Sequence, residues 1–182
     1  MTTRLTNSGT DASKNKDTTE TAIPAPATLA LTEQPFLKDL DPRFIEQMAD
    51  CAFTTRFEPG QQICREGEPA DRFYILVGGQ VALEMYAPGA RGAGEAHMHT
   101  VQTLYEWEPL GWSWLFPPYR WHFDVRALTP VEALAFDARC LRGKCEQDHD
   151  LGYELMKRFT QIVIERLQAA RFQMMDVYRV PE

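Results

Sequence analysis

The residues best equipped for chemistry lie together between Pro109 and Ala127, in the run PLGWSWLFPPYRWHFDVRA. Its nineteen positions hold three tryptophans, two phenylalanines, a tyrosine and the arginines Arg120 and Arg126. Aromatic rings carry the largest apolar areas of any side chains, so they fill a core or line a concavity, and guanidinium groups add permanent planar charge. Such a stretch reads as the wall of a ligand pocket. Nucleophilic catalysis fits it poorly, because Ser113 has no acid–base neighbour visible in sequence and no G-x-S-x-G elbow is present.

A second candidate is His97-Met98-His99, where two imidazoles at i and i+2 of a strand point the same way and could share a metal. Glu106 lies beyond the spacing such a site uses, and the nearest later imidazole is His122. A solvated histidine pair is the expectation, with no metal ligands assigned.

Composition narrows the classes. A chain of 182 residues with a formal net charge of -7 and 44% apolar content can bury one core, and it has no general attraction for phosphate backbones. No run approaches the roughly 18 apolar residues of a membrane span, and the N-terminus lacks the basic-then-apolar order of a secretory signal. A cytoplasmic protein without membrane contact is expected. The four cysteines, Cys51, Cys64, Cys140 and Cys145, form no C-x-x-C pair, so reduced thiols are expected rather than a zinc site or a disulfide framework.

The elements that must position the aromatic run follow from periodicity. Residues 1–30 are rich in Thr, Ser, Asn, Asp and Lys and end in a Pro-Ala run, a composition that predicts a disordered leader. From Glu33, the apolar positions Phe36, Leu37, Leu40, Phe44, Ile45, Met48 and Ala49 recur at helical spacing, and Asp41-Pro42 is a start signal for the second of two short helices. Beyond Cys51 the period becomes that of strands, in TTRFEPG, QQICREGEPAD, RFYILVGGQ and VALEMYA, punctuated by Pro59-Gly60, Glu66-Gly67 and Gly78-Gly79. Ala87–Ala96 reads as a hairpin tip, HMHTVQTLYEW as a strand, and VRALTPVEALAFD as two strands about Thr129-Pro130. A long helix is predicted from about Asp148 to Tyr178. The expected divisions are the leader at 1–30, a β-rich domain at 31–147 and a C-terminal dimerisation helix at 148–182.

Four pieces in this order, PGQQICREGEPAD, FYILVGGQVAL, LGWSWL and VRALTPVEALAFD, resemble the cyclic-nucleotide-binding domain family from about Phe36 to Val177. The resemblance implies a mainly β fold with flanking helices: a β jelly roll, or double-stranded β-helix, followed by a long C-terminal helix. It also implies a phosphate-binding cassette in which a short helix offers backbone N–H groups to the anion, a Pro-Arg pair adds an arginine fork, and a Glu holds the ribose. This sequence keeps Gly111, Leu115, Pro118 and Arg120, but Trp112 stands at the Glu position and Trp114 at a small Ala. Counting back from FDVRA puts Trp121 at the phosphate-arginine position and displaces Arg120 by one residue, which on a strand turns it to the other face. The ligand-binding residues implied are Gly111, Trp112, Ser113, Trp114, Leu115, Arg120 and Trp121. The ligand would be a cyclic nucleotide or, given the altered cassette, another small molecule; no other cofactor is indicated. The alternative is that these rings fill the hollow, leaving a structural interaction protein, and a cupin-like metal enzyme ranks third.

Met156, Thr160, Val163, Leu167, Ala170, Met174 and Val177 alternate at four and three residues, the seam spacing of a two-stranded coiled coil, and predict a homodimer. Leu155, Phe159 and Ile162 form a neighbouring stripe that would cover the barrel. Regulators of the catabolite-activator type cap the purine with hydroxyl residues after Leu-Gln, whereas Leu167-Gln168 is followed here by Ala169, Ala170 and Arg171. Those regulators continue into a DNA-binding domain, and this sequence ends at Glu182. The expected function is that of a stand-alone, non-enzymatic sensory or regulatory module in signal transduction, acting through its C-terminal helix on a protein partner and not on DNA.

Overall fold

A computed structural model describes residues 21–22, 31, 34–87 and 97–177. Alternation of buried and exposed positions builds two antiparallel sheets. The first orders its strands β1 (Thr21–Ala22), β2 (Ala52–Phe57), β9 (Val131–Asp137), β4 (Arg72–Gly78) and β7 (Pro109–Leu110); the second orders β3 (Gln62–Cys64), β8 (Asp124–Ala127), β5 (Val81–Ala87) and β6 (His97–Leu104). In β9 the sequence VEALAFD sends Glu132 and Asp137 outward and buries the four residues between them. The rings of Phe73 and Phe136, opposed on β4 and β9, stack at 4.4 Å and continue a core that takes side chains from both sheets. This is the expected jelly-roll arrangement.

Glycine is required where β4 turns into β5. Gly79 sits at φ +89°, and a Cβ there would collide with the carbonyl of Pro130, so this turn nests against the one between β8 and β9.

Helix α1 (Pro42–Ala49) begins as its sequence demands: the Asp41 carboxylate accepts from Arg43 N at 3.0 Å and proline occupies the first turn. It buries Phe44, Ile45 and Met48. The other expected short helix is a single 3-10 turn, Pro35–Leu37.

Three expectations need correction. Within the leader expected to be disordered, Thr21 and Ala22 pair with Thr54 and Phe53 at the edge of the first sheet; the hairpin tip lies outside the described residues except for Ala87 at the end of β5. The long helix expected from about Asp148 is α3 (His149–Val177), but a helix that was not expected, α2 (Ala138–Gln147), precedes it. Asp148 between them is extended, and its carboxylate accepts from Asp150 N at 3.1 Å and Leu151 N at 3.3 Å, capping α3. Because α2 fully buries only Ala138 and Leu141, its apolar period is too short to stand out in sequence. Finally, Cys51 and Cys140, 89 residues apart, are joined as a disulfide that fastens the start of β2 to α2, while Cys64 and Cys145 are free thiols. Two cysteines so far apart meet only because β2 and β9 are paired strands whose ends they flank.

The long helix α3 shows two distinct faces. Leu151, Leu155 and Phe159 are buried against the roll, with Ile162 half-buried beside them. Met156, Val163, Leu167 and Met174 of the expected seam are exposed, Leu167 by 52%.

Candidate functional site

The aromatic run enters from β7, whose Leu110 and Pro109 pair with Tyr74 and Ile75 of β4. Gly111 follows at φ +94°, and a Cβ there would lie 2.5 Å from the ring of Trp121, so this position needs glycine for both conformation and space. Trp112 to Phe116 form a tight turn, with Leu115 N bonded to Trp112 O at 3.1 Å, and not a helix that could present a row of amides. The chain returns past a cis Pro117-Pro118 bond and Tyr119 at φ +57°. Tyr119 and Trp121 then hydrogen-bond to Ala70, Glu68 and Gly67 on the loop before β4.

Trp114 is fully buried. Its ring stacks on Phe73 at 5.3 Å and meets Phe159 of α3 edge-on at 5.7 Å, so one side chain bridges roll, cassette and helix. Its carbonyl accepts from Arg142 Nη1 of α2 at 2.7 Å, and the same guanidinium lies 4.5 Å over the Tyr119 ring. Among the described residues the Trp114 indole nitrogen has no hydrogen-bond partner. Trp121 is buried against Gly111, its ring stacked on Tyr74 at 6.5 Å; burial pushes the Tyr74 phenol well above its usual range. Trp112 and Leu115 are half-buried.

Arg120 faces outward and donates through Nη1 to the carbonyl of Gly67 at 2.6 Å. Trp121 takes the inward position and Arg120, counted from the resemblance among the ligand-binding residues, the outward one. Arg126 is also engaged, its Nε and Nη2 donating to Glu84 at 3.0 and 2.7 Å.

Ser113 does have a partner that sequence reasoning missed, since His122 Nδ1 lies 2.8 Å from its hydroxyl and the imidazole packs on Trp112 at 4.4 Å. A separation of nine residues across an irregular turn carries no pattern that would have revealed it. Ser113 is only 3% exposed, which leaves its hydroxyl a structural tie between the two limbs of the turn. Cys64 is buried and its thiol pushed up by burial, away from nucleophilic use. Among the described residues no group of three or more His, Cys, Asp or Glu side chains could hold a metal. His99 is exposed on β6, and the side chain of His97 lies outside the described residues.

The family model of the cyclic nucleotide-binding domain matches residues 54–148, which takes in the aromatic run, α2 and both sheets apart from β1 and the start of β2. The chain belongs to the cyclic nucleotide-binding domain family.

Within that family, it is 33% identical over 66 residues to human cGMP-dependent protein kinase 2, a match covering 36% of this chain and 8% of the kinase. Among solved structures, a Geobacter metallireducens protein named for cyclic nucleotide binding is 26% identical with a TM-score of 0.67, covering 78% of this chain and 98% of that one. A cyclic nucleotide-binding domain from Methylobacillus flagellatus superposes with a TM-score of 0.75 at 13% identity, covering 91% and 92% of the two chains, and so shares the fold. In this cyclic nucleotide-binding domain the Trp112 ring packs on His122 and the Trp121 ring on Tyr74.

Two clefts among the described residues lie off the cassette. One of about 610 Å³ runs between α3 and the roll, lined by residues that include Phe36, Trp107, Arg158, Ile162 and Arg166. Another of about 730 Å³ opens beside Arg65, Glu66, Asp124 and Arg126. Neither is lined by any residue from Gly111 to Trp121.

Proposed function

We propose that this chain is a non-enzymatic regulatory module of the cyclic nucleotide-binding fold that senses a small molecule other than a cyclic nucleotide and reports it through the packing of α3. The observation that carries this reading is the Trp114 ring held between Phe73 and Phe159, which couples the cassette to the helix. A shift of either partner changes the packing of the other, so the cassette and α3 move as one unit. The two indoles at the ribose and phosphate positions supply neither the carboxylate acceptor nor the guanidinium fork that a cyclic phosphate requires.

The output surface is the exposed seam of α3, which a second copy of the chain would cover to make a homodimer. Calorimetric titration with cyclic AMP and cyclic GMP tests the ligand class, and no isotherm is expected down to affinities of about 100 μM. A micromolar isotherm for either nucleotide would overturn the reading. Light scattering tests the dimer: Leu167→Asp is expected to yield a folded monomer, and a wild-type monomer at high concentration would refute the interface.

A second reading is favoured by the complete burial of Trp114 and the near-complete burial of Trp121. In it the filled hollow binds nothing and the domain is a structural interaction protein. Native mass spectrometry of the purified protein separates the two, since a co-purified small molecule sinks the second.

A further inference from the structure

The cleft between α3 and the roll combines an apolar wall with two arginines, and no part of the cassette lines it. Phe36, Trp107, Pro109 and Ile162 supply the wall, and the volume of about 610 Å³ falls within the range of small-molecule sites. Trp107 is 40% exposed at φ +72°, a backbone conformation that large side chains adopt only under constraint; its N–H is fixed to Leu76 O at 2.8 Å. The result is a large ring displayed at the cleft rather than folded into the core.

Both arginines ride on α3, and both bind neutral acceptors on the body. Arg158 Nη1 donates to Phe36 O at 2.6 Å and Arg166 Nη2 to Pro109 O at 2.7 Å. Their surroundings differ. Burial pulls the Arg166 guanidinium below its usual range while Glu108 and Glu165 pull it back, so its charge is locally balanced. Arg158 has no ion-pair partner among the described residues, and its Nε is buried without an acceptor. A guanidinium with one arm on a neutral carbonyl and Nε empty is an incomplete fork, and a carboxylate completes it with charge-assisted bonds stronger than the one to a carbonyl.

We propose that this cleft is the small-molecule site of the chain and that it takes a flat aromatic monocarboxylate, with the carboxylate on Arg158 and the ring against Trp107 and Phe36. A single negative charge is specified because Glu108 and Glu165 line the same cleft and repel a dianion such as a phosphate monoester. Since the carboxylate competes with Phe36 O for a side chain of α3, occupancy changes how the helix is fastened to the roll. The consequence of occupancy, though not the site itself, rests on the reading of α3 as the output element.

The test is a titration of the full chain followed through the four tryptophan indole N–H resonances, assigned by single Trp→Phe variants. The probes are 1-naphthoate, the neutral 1-naphthylmethanol and the dianionic 1-naphthyl phosphate. Saturable shifts of the Trp107 resonance are expected with 1-naphthoate, at an affinity about tenfold above either control. Arg158→Gln is expected to remove that preference, and Trp107→Ala, at an exposed position, to weaken binding about tenfold in a chain whose fold is unchanged. Equal binding of naphthoate and naphthylmethanol, the absence of saturation, or shifts confined to Trp112 and Trp121 would each overturn the site. Amide exchange along α3 separates the two ideas. Naphthoate shifts at Trp107 with unchanged α3 exchange would keep the site and sink the output reading, whereas α3 exchange altered by a cyclic nucleotide acting at Trp112 would do the reverse.

Discussion

In the aromatic run both arginines are already occupied, Arg120 by the carbonyl of Gly67 and Arg126 by Glu84, whereas in the cleft beneath α3 Arg158 keeps a buried Nε with no acceptor. The tryptophans divide the same way. Trp114 and Trp121 are sealed in the core, and Trp107 is held at the surface of the cleft. The two regions use the same residue types, so residue type alone does not mark a binding site; what separates them is whether the ring is sealed in the core or displayed at a cleft, and whether a guanidinium nitrogen is left without an acceptor.

The sharpest way to break this comparison is to truncate one ring from each region. Trp114→Ala removes a fully buried ring from between Phe73 and Phe159 and is expected to cost about 3–5 kcal/mol in chemical denaturation. Trp107→Ala, at a 40% exposed position, is expected to cost about 1 kcal/mol or less. Similar costs for the two would show that the cassette is not the better-packed region.

Gly111→Ala comes next in size. It places a methyl group against the Trp121 ring and a side chain at φ +94°, and a loss of about 1–3 kcal/mol is expected from the backbone conformation alone. Its effect should be confined to the cassette. If Gly111→Ala lowers stability by less than Trp107→Ala, the closed state of the cassette does not depend on the Gly111 and Trp121 contact.

Much of the scaffold was legible because strands and turns write short local codes. Gly78-Gly79 announced the β4–β5 turn, Thr129-Pro130 the β8–β9 turn, and Asp41-Pro42 the start of α1. The direction of Arg120 was legible only in part, because a one-residue offset on an extended chain reverses the face but the loop through Pro117-Pro118 and Tyr119 can absorb it. What sequence could not carry was pairing over distance. Arg142 on Trp114, Cys51 with Cys140, and His122 with Ser113 each join segments that meet only once the sheets are formed. Helix α2 was missed for a different reason: its two buried residues make too brief a period, although the Asp137 carboxylate caps it by accepting from Cys140 N. The cleft was unreadable for both reasons together, since Phe36, Trp107 and Arg158 come from three distant segments and none belongs to the aromatic run.

The smallest expected effect lies at Asp148, on the corner that joins the helix holding the cassette to the helix lining the cleft. A hydrogen bond from Gln47 Nε2 at 3.0 Å is the largest influence holding the Asp148 carboxyl below its usual pKa, helped by the amides of Leu151 and Asp150 and by Arg43. A carboxylate depressed in the folded state contributes stability that is fully present above the unfolded pKa, about 4, and is lost as pH falls through the folded value. Acid should therefore loosen the first turn of α3 while the cassette, with no carboxylate bonded to Trp114 or Trp121, stays closed. Relative to the intrinsic exchange rate at each pH, amide exchange between about pH 5 and pH 3 should rise at Leu151 and Gly152 before it rises at Leu115. Asp148→Asn keeps an N-cap but cannot titrate, so its exchange in that turn should be flat over the same interval. An equal rise in this variant would assign the acid effect to other carboxylates near the corner, Asp150 and Asp50 among them, and would leave the two regions indistinguishable by pH.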